Sequence, residues 1–115
     1  MRRFVPLPRQ TRKDQIRSAI RARLAEGYPA LEAVAQAVKA TPAAIQRELA
    51  RDNLNYKDLV EETRRDLALV YVRQRELPFS EIAFLLGYSE LSAFSRAFHR
   101  WTGTSPRTYR AAQTA

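Results

Sequence analysis

Residues 81–110 of the chain read EIAFLLGYSELSAFSRAFHRWTGTSPRTYR, and the spacing of their apolar residues predicts helices. The apolar residues before Gly87 predict a short helix, and this glycine suits the left-handed turn that ends one. Ser89 is expected to cap a second helix, which has an apolar face at helical spacing. The residues that this face is expected to bury are Phe94, Ala97, Phe98 and Trp101. Two helices joined by a tight turn are typical of a helix-turn-helix unit.

The same pattern occurs a second time, nearer to the start of the chain. The residues Ala35, Val38, Ile45, Arg47 and Leu49 recur as Ala83, Leu86, Phe94, Arg96 and Phe98. The offset is 48 residues for the first two pairs and 49 for the others, which predicts a longer second turn. In the earlier copy, Thr41 is expected to cap the second helix and Pro42 to begin it. One such unit can arise by chance in an ordinary helical bundle, so the repetition is what favours two helix-turn-helix units.

A single long helix is predicted between the two units. Its apolar positions are three or four residues apart, at Tyr56, Leu59, Thr63, Leu67 and Val70. This spacing indicates one helix over about 56–74, roughly 28 Å long at 1.5 Å per residue. That length is of the order of the ~34 Å between major grooves one turn apart. Within this helix, Glu61 and Arg65 are expected to form an i,i+4 ion pair.

The remaining segments complete an all-α fold. Residues 1–12 contain two prolines and no apolar period, so they are interpreted as an arm or linker. The domain proper is predicted at 13–115, with the two helix-turn-helix units at about 31–52 and 79–102. No segment shows the alternation of a β-strand.

The composition is basic and lacks cysteine. The 115 residues include 20 Lys and Arg against 12 Asp and Glu, which predicts a polyanionic partner without distinguishing DNA from RNA or an anionic membrane. With no thiol, no glycine-rich phosphate loop and only His99 among histidines, we expect neither an enzyme nor a metal or cofactor site. The apolar runs are too short to span a bilayer, so a cytoplasmic protein without membrane contact is expected. The length suits one domain without a separate sensor.

The motif at 81–110 closely resembles the C-terminal signature of the AraC/XylS family of transcription regulators. The similarity extends over 31–49 and 56–73. It implies about seven helices, in which two homeodomain-like helix-turn-helix units insert their second helices, the recognition helices, into adjacent major grooves on one side of the DNA. It also implies sequence-specific double-stranded DNA binding by a bacterial regulator, contact with RNA polymerase, and an N-terminal sensing domain that many relatives have outside the part similar to this chain.

The resemblance assigns the base-contacting positions to eight residues. They are Ala43, Gln46 and Arg47 in the first unit, and Leu91, Ser92, Ala93, Ser95 and Arg96 in the second. A glutamine is suited to adenine and an arginine to guanine or a phosphate, serines hydrogen-bond either, and the apolar residues can meet thymine methyl groups. The first unit departs from the family because Lys39 stands where glycine is frequent in the turn, a position of positive φ that strains a residue with a Cβ. Its recognition helix also begins with few polar side chains, so base readout there is expected to be sparse.

Two alternatives stay open at this point. A basic helical module is also suited to bind RNA or an acidic protein partner. The arginines near the start of the chain are interpreted as a solvated face or arm, with a phosphate clamp as the alternative; they are Arg2, Arg3, Arg9, Arg12, Arg17, Arg21 and Arg23.

Overall fold

The computed structural model describes residues 10–113, and in this part of the chain all regular structure is helical. Seven α-helices and one 3-10 turn follow one another there: α1 (Arg12–Arg23), the 3-10 turn (Leu24–Glu26), α2 (Leu31–Ala37), α3 (Pro42–Ala50), α4 (Tyr56–Val72), α5 (Phe79–Leu85), α6 (Leu91–Thr102) and α7 (Pro106–Gln113). The predicted all-α fold is confirmed. Of the proposed arm, residues 1–9 lie outside the described residues, whereas Arg12 already begins α1.

Side-chain caps fix where four helices begin, and at the start of α7 Ser105 Oγ accepts from the backbone N–H of Thr108. Thr11 accepts from the backbone N–H of Asp14 as part of a capping box, and Asn55 starts α4 in the same way. Thr41 caps α3 with Pro42 as its first residue, as predicted. The predicted cap at Ser89 is wrong, because Glu90 is the residue in extended conformation before α6 and no side chain caps this helix. The second turn is long enough to move the helix start one residue beyond the serine.

The two helix-turn-helix units repeat each other in backbone detail. The turn between α2 and α3 is residues 38–41 and the turn between α5 and α6 is residues 86–90, so the second is one residue longer, as the offsets predicted. Ala40 N–H donates to the Ala35 carbonyl, and Tyr88 N–H donates to the Ala83 carbonyl, both at 2.9 Å. Each bond closes the end of its first helix in the manner of a Schellman motif.

The buried residues form two apolar clusters. The first joins α1, the 3-10 turn, α2, α3 and the start of α4, through Ile16, Ala19, Ile20, Leu24, Val34, Ala35, Ile45, Leu49, Tyr56, Leu59 and Val60. The second joins the end of α4 to α5 and α6, through Ala68, Val72, Ile82, Ala83, Leu86, Phe94 and Phe98. Leu67 packs against both clusters. The long helix therefore belongs to both cores.

Two details of the predicted apolar faces are wrong. Val70 is 51% exposed, although it continues the apolar spacing of the first half of α4. It lies two residues from both Ala68 and Val72, which places it on the opposite side of the helix from these two buried residues. The buried face therefore turns around α4 between the two cores. Trp101 is half-buried at the edge of the second core instead of fully enclosed.

Candidate nucleic-acid interface

The predicted base-contacting residues occupy matching places on α3 and α6. Arg47 and Arg96 are each the sixth residue of their helix. Ala43 and Ser92 are second and Gln46 and Ser95 are fifth, so each set lies on one helix face at i, i+3 and i+4 spacing. Leu91 and Ala93 stand at the start of α6 beside this face.

The surface position of these residues leaves them open to a ligand. Ala43, Gln46, Arg47, Ser92 and Arg96 are exposed. Leu91 is 44% exposed, and Ala93 and Ser95 are half-buried. The opposite faces are buried, through Ile45 and Leu49 in α3 and through Phe94, Ala97 and Phe98 in α6. Each helix is thus held by its apolar side and presents its polar side outward.

The cations on these faces are not neutralised within the protein. Among residues 10–113, the guanidinium groups of Arg47 and Arg96 make no ion pair or hydrogen bond. Two arginines of α1 differ, because Arg12 pairs with Glu48 at 3.7 Å and Arg17 with Glu62 at 3.8 Å. Free guanidinium groups at equivalent helix positions are suited to guanine or phosphate.

A polar contact fixes the turn in front of each recognition helix. Arg12 Nη1 donates to the Val38 carbonyl at 2.6 Å, and Arg64 Nε donates to the Leu86 carbonyl at 2.8 Å. Val38 and Leu86 are equivalent residues of the repeat, at the ends of α2 and α5. In both units, an arginine from the helix before the unit, α1 or α4, thus donates to the carbonyl of the first residue of the turn.

The end of α6 is held by Glu61. One carboxylate oxygen of Glu61 accepts from Arg100 Nη2 at 2.7 Å and from Trp101 Nε1 at 2.8 Å. Burial opposes ionisation, but the two hydrogen bonds lower the pKa of Glu61 below its ordinary value. The predicted pair between Glu61 and Arg65 is wrong, since Arg65 pairs with Asp66 at 3.1 Å. The Glu61 carboxylate instead accepts hydrogen bonds from two side chains of α6, a helix that is distant in sequence.

The sequence reasoning missed Arg64 as well. It is 8% exposed and lies four residues from both Val60 and Ala68, so a place on the buried side of α4 was readable from helical spacing. Within the described residues, no three histidine or carboxylate side chains gather to hold a metal ion, and no helix is long and apolar enough to cross a membrane.

Comparison with known proteins gives a consistent result. Residues 34–112 match the family model described as "Helix-turn-helix domain". The chain is similar to the HTH-type transcriptional regulator VirS of Mycobacterium tuberculosis, with 42% identity over 101 residues, which are 88% of this chain and 30% of VirS. It is also similar to the Ornithine utilization regulator of Pseudomonas aeruginosa, with 38% identity over 74% of this chain and 25% of that protein. The chain thus spans less than a third of either relative.

One solved structure has a similar fold over nearly the whole chain. The C-terminal domain of AraT, a response regulator from Geobacillus stearothermophilus, superposes with a TM-score of 0.74 and 27% identity. The overlap covers 91% of this chain and 88% of that domain. The similarity therefore includes α1, which precedes the matched family region.

Proposed function

Because the chain belongs to the AraC-type family of helix-turn-helix transcription regulators, we propose that α3 and α6 together bind one asymmetric site on double-stranded DNA. The family and fold are those of DNA-binding regulators and not of enzymes. The observation that supports two-helix binding is the pair of exposed faces with an unpaired arginine at the same helix position, Arg47 and Arg96. Each face has the size and polarity to enter a major groove.

The two faces differ in chemistry, so the half-sites differ in sequence. In α3, Gln46 and Arg47 are the polar readers, and Ala43 offers only a methyl contact. In α6, Ser92, Ser95 and Arg96 are polar, with apolar contacts from Leu91 and Ala93. Ser92 Oγ lies 3.2 Å from a Glu90 carboxylate oxygen, which orients it at the helix start. A single chain therefore needs no two-fold symmetry in its site.

The proposed partners extend beyond the DNA. Since the chain spans only 30% of VirS, we assign it the role of the DNA-binding part of a regulator whose sensing function lies in another domain. RNA polymerase is the partner through which such a regulator acts on transcription. The place of action is the bacterial cytoplasm, where the DNA is accessible.

Selection and competition test this function. The chain is used to select duplexes from a random pool, and the selected duplex is then challenged with random duplex and with single-stranded RNA. We expect specific binding to exceed random duplex binding by on the order of 10³-fold. RNA should compete no better than random duplex. Competition by RNA as strong as that by the selected duplex itself would support the RNA-binding alternative and contradict the proposal.

A further inference from the structure

We propose that Glu61 and Arg64 of α4 set the angle between the two recognition helices, and thereby the half-site spacing that the chain accepts. This inference rests on the proposed binding of α3 and α6 to one DNA site. The two residues are three apart and lie on neighbouring positions of the same helix. Arg64 holds the turn before α6, and Glu61 holds the end of α6.

Arg64 joins three parts of the molecule. Its Nε donates to the Leu86 carbonyl at 2.8 Å and its Nη2 to the Gly87 carbonyl at 3.4 Å, in the turn before α6. Its guanidinium carbon lies 4.4 Å from the ring centroid of Tyr88 and 5.6 Å from that of Tyr28. Tyr28 lies between the 3-10 turn and α2, just before the first unit. The buried cation thus links the second unit and the segment before the first unit to α4 through directional contacts.

The turn before α6 also lies against the segment that precedes the first unit. A Cβ added at Gly87 would lie 2.4 Å from the Leu24 carbonyl oxygen and 3.0 Å from that of Gly27. The missing side chain lets the second turn approach the 3-10 turn that follows α1. This backbone seam brings the second turn next to the first core, to which Leu24 belongs.

Glu61 fixes the other end of the recognition helix. Its hydrogen bonds to Arg100 and Trp101 reach the last turn of α6, whereas the bonds of Arg64 reach the turn before that helix. Apolar packing between α4 and α6 is non-directional, so it does not by itself define one orientation. The hydrogen bonds at the two ends of α6 depend on direction, so together they favour one orientation of α6 on α4. Since one base pair rotates the groove by roughly 34°, the angle decides which spacing fits both helices.

The test compares Glu61→Ala with Glu62→Ala. Both variants remove one negative charge from adjacent positions of α4, but Glu62 pairs with Arg17 of α1 and makes no hydrogen bond or ion pair to α6 among the described residues. Affinity is measured for the duplex selected by the unaltered chain, and for the same duplex with one base pair added or removed between the half-sites. Wild type and Glu62→Ala should lose about tenfold or more when the spacing changes. Glu61→Ala should lose no more than about threefold, because its second unit can rotate to follow the DNA.

The ratio of the affinities for the original and the altered spacing distinguishes a positioning role of Glu61 from a general loss of stability, because lower stability weakens binding to both duplexes alike. If Glu61→Ala discriminates between spacings as sharply as Glu62→Ala, the positioning role is refuted. If the wild type does not discriminate at all, two-helix binding fails and this inference fails with it. If Glu61→Ala does not fold by thermal melting, Trp101→Phe combined with Arg100→Gln removes the same bonds from α6. That double variant must then lose the spacing preference, and its retention would overturn the proposal.

Discussion

Lys39 and Gly87 occupy equivalent positions in the two turns, and the backbone has a positive φ at both. Their φ values are 57° and 87°, and each lies one residue before the N–H that closes the preceding helix. The positive φ expected at Lys39 is confirmed, and for a residue with a Cβ it costs about 1 kcal/mol relative to glycine. At Gly87 a side chain is excluded for a second reason, the contact with the Leu24 carbonyl.

Alanine substitutions at Gly87 and Gly103 distinguish the strain of a positive φ from the lack of space for a side chain. Gly103 also has a positive φ, of 79°, but an added Cβ there meets nothing within 4 Å. Gly103→Ala should therefore lower the free energy of unfolding by only about 1 kcal/mol. Gly87→Ala should lower it by about 3 kcal/mol or more, because the backbone seam must also open. Chemical denaturation measures both, and equal losses would show that the seam contributes nothing.

Arg96 is expected to dominate base readout. Arg96→Ala should weaken binding to the selected duplex by about 1–3 kcal/mol and relax the preference at one base pair, since a bidentate arginine reads guanine. Gln46→Ala should weaken it less, because α3 offers few other polar contacts around it. Binding is measured on selected and random duplexes. A uniform loss on all sequences would reduce Arg96 to a phosphate contact, and a larger loss at Gln46 would reverse the ranking of the two units.

Among the elements, α6 has its apolar face in the second core. Phe98 is fully buried, with ring centroids 5.8 Å from Phe94 and 5.3 Å from Tyr109. Phe98→Ala should lower the free energy of unfolding by about 3–5 kcal/mol, because deleting a buried aromatic leaves a cavity. Thermal melting measures the loss. A variant that melts normally but no longer binds DNA would place Phe98 on the interface instead.

The corner between α4 and α5, formed by residues 73–78, is held in place by Arg110 of α7. Its guanidinium donates to the carbonyls of Val72, Arg75 and Leu77 and stacks on the Phe79 ring, 4.1 Å from the centroid. Arg110→Lys should lower the free energy of unfolding by about 1–2 kcal/mol, because an ammonium cannot reproduce the planar fork.

Arg107→Lys is the matched control for this corner. It lies in the same helix and is exposed, and its side chain makes no hydrogen bond or ion pair to a residue that the structure describes. The control should melt like the unaltered chain. Equal stability of both variants would show that the Arg110 fork does not hold the corner.

Helical spacing predicted the elements far better than their partners. The caps of α3, the repeat and the long helix followed from local patterns, because a helix is built from contacts three and four residues apart. The partners of Glu61, Arg64 and Arg110 are between 22 and 40 residues away, so no local pattern identifies them. The same limit explains Val70, whose exposure depends on where the second core lies around α4.

At the scale of the whole molecule, two cores share one helix and present two unlike recognition helices. The fold was predictable because each unit repeats a known pattern, whereas the relative orientation of the units rests on the contacts of Arg64, Glu61 and Gly87. The predicted base-contacting residues all lie at or near the surface of α3 and α6. Their contacts with bases stay a prediction. In the proposed function, both helices bind one DNA site at once.

Inserting about five base pairs between the half-sites of the selected duplex tests whether both helices bind at once, because it turns the second groove to the opposite face, roughly half a turn away. The helix α4, about 26 Å long over its 17 residues, cannot follow that rotation. Affinity should fall towards the random-duplex level, and the remaining binding should keep the steep salt dependence of phosphate contacts. If the spaced duplex binds as tightly as the original, only one unit contacts DNA and the two-helix account is wrong.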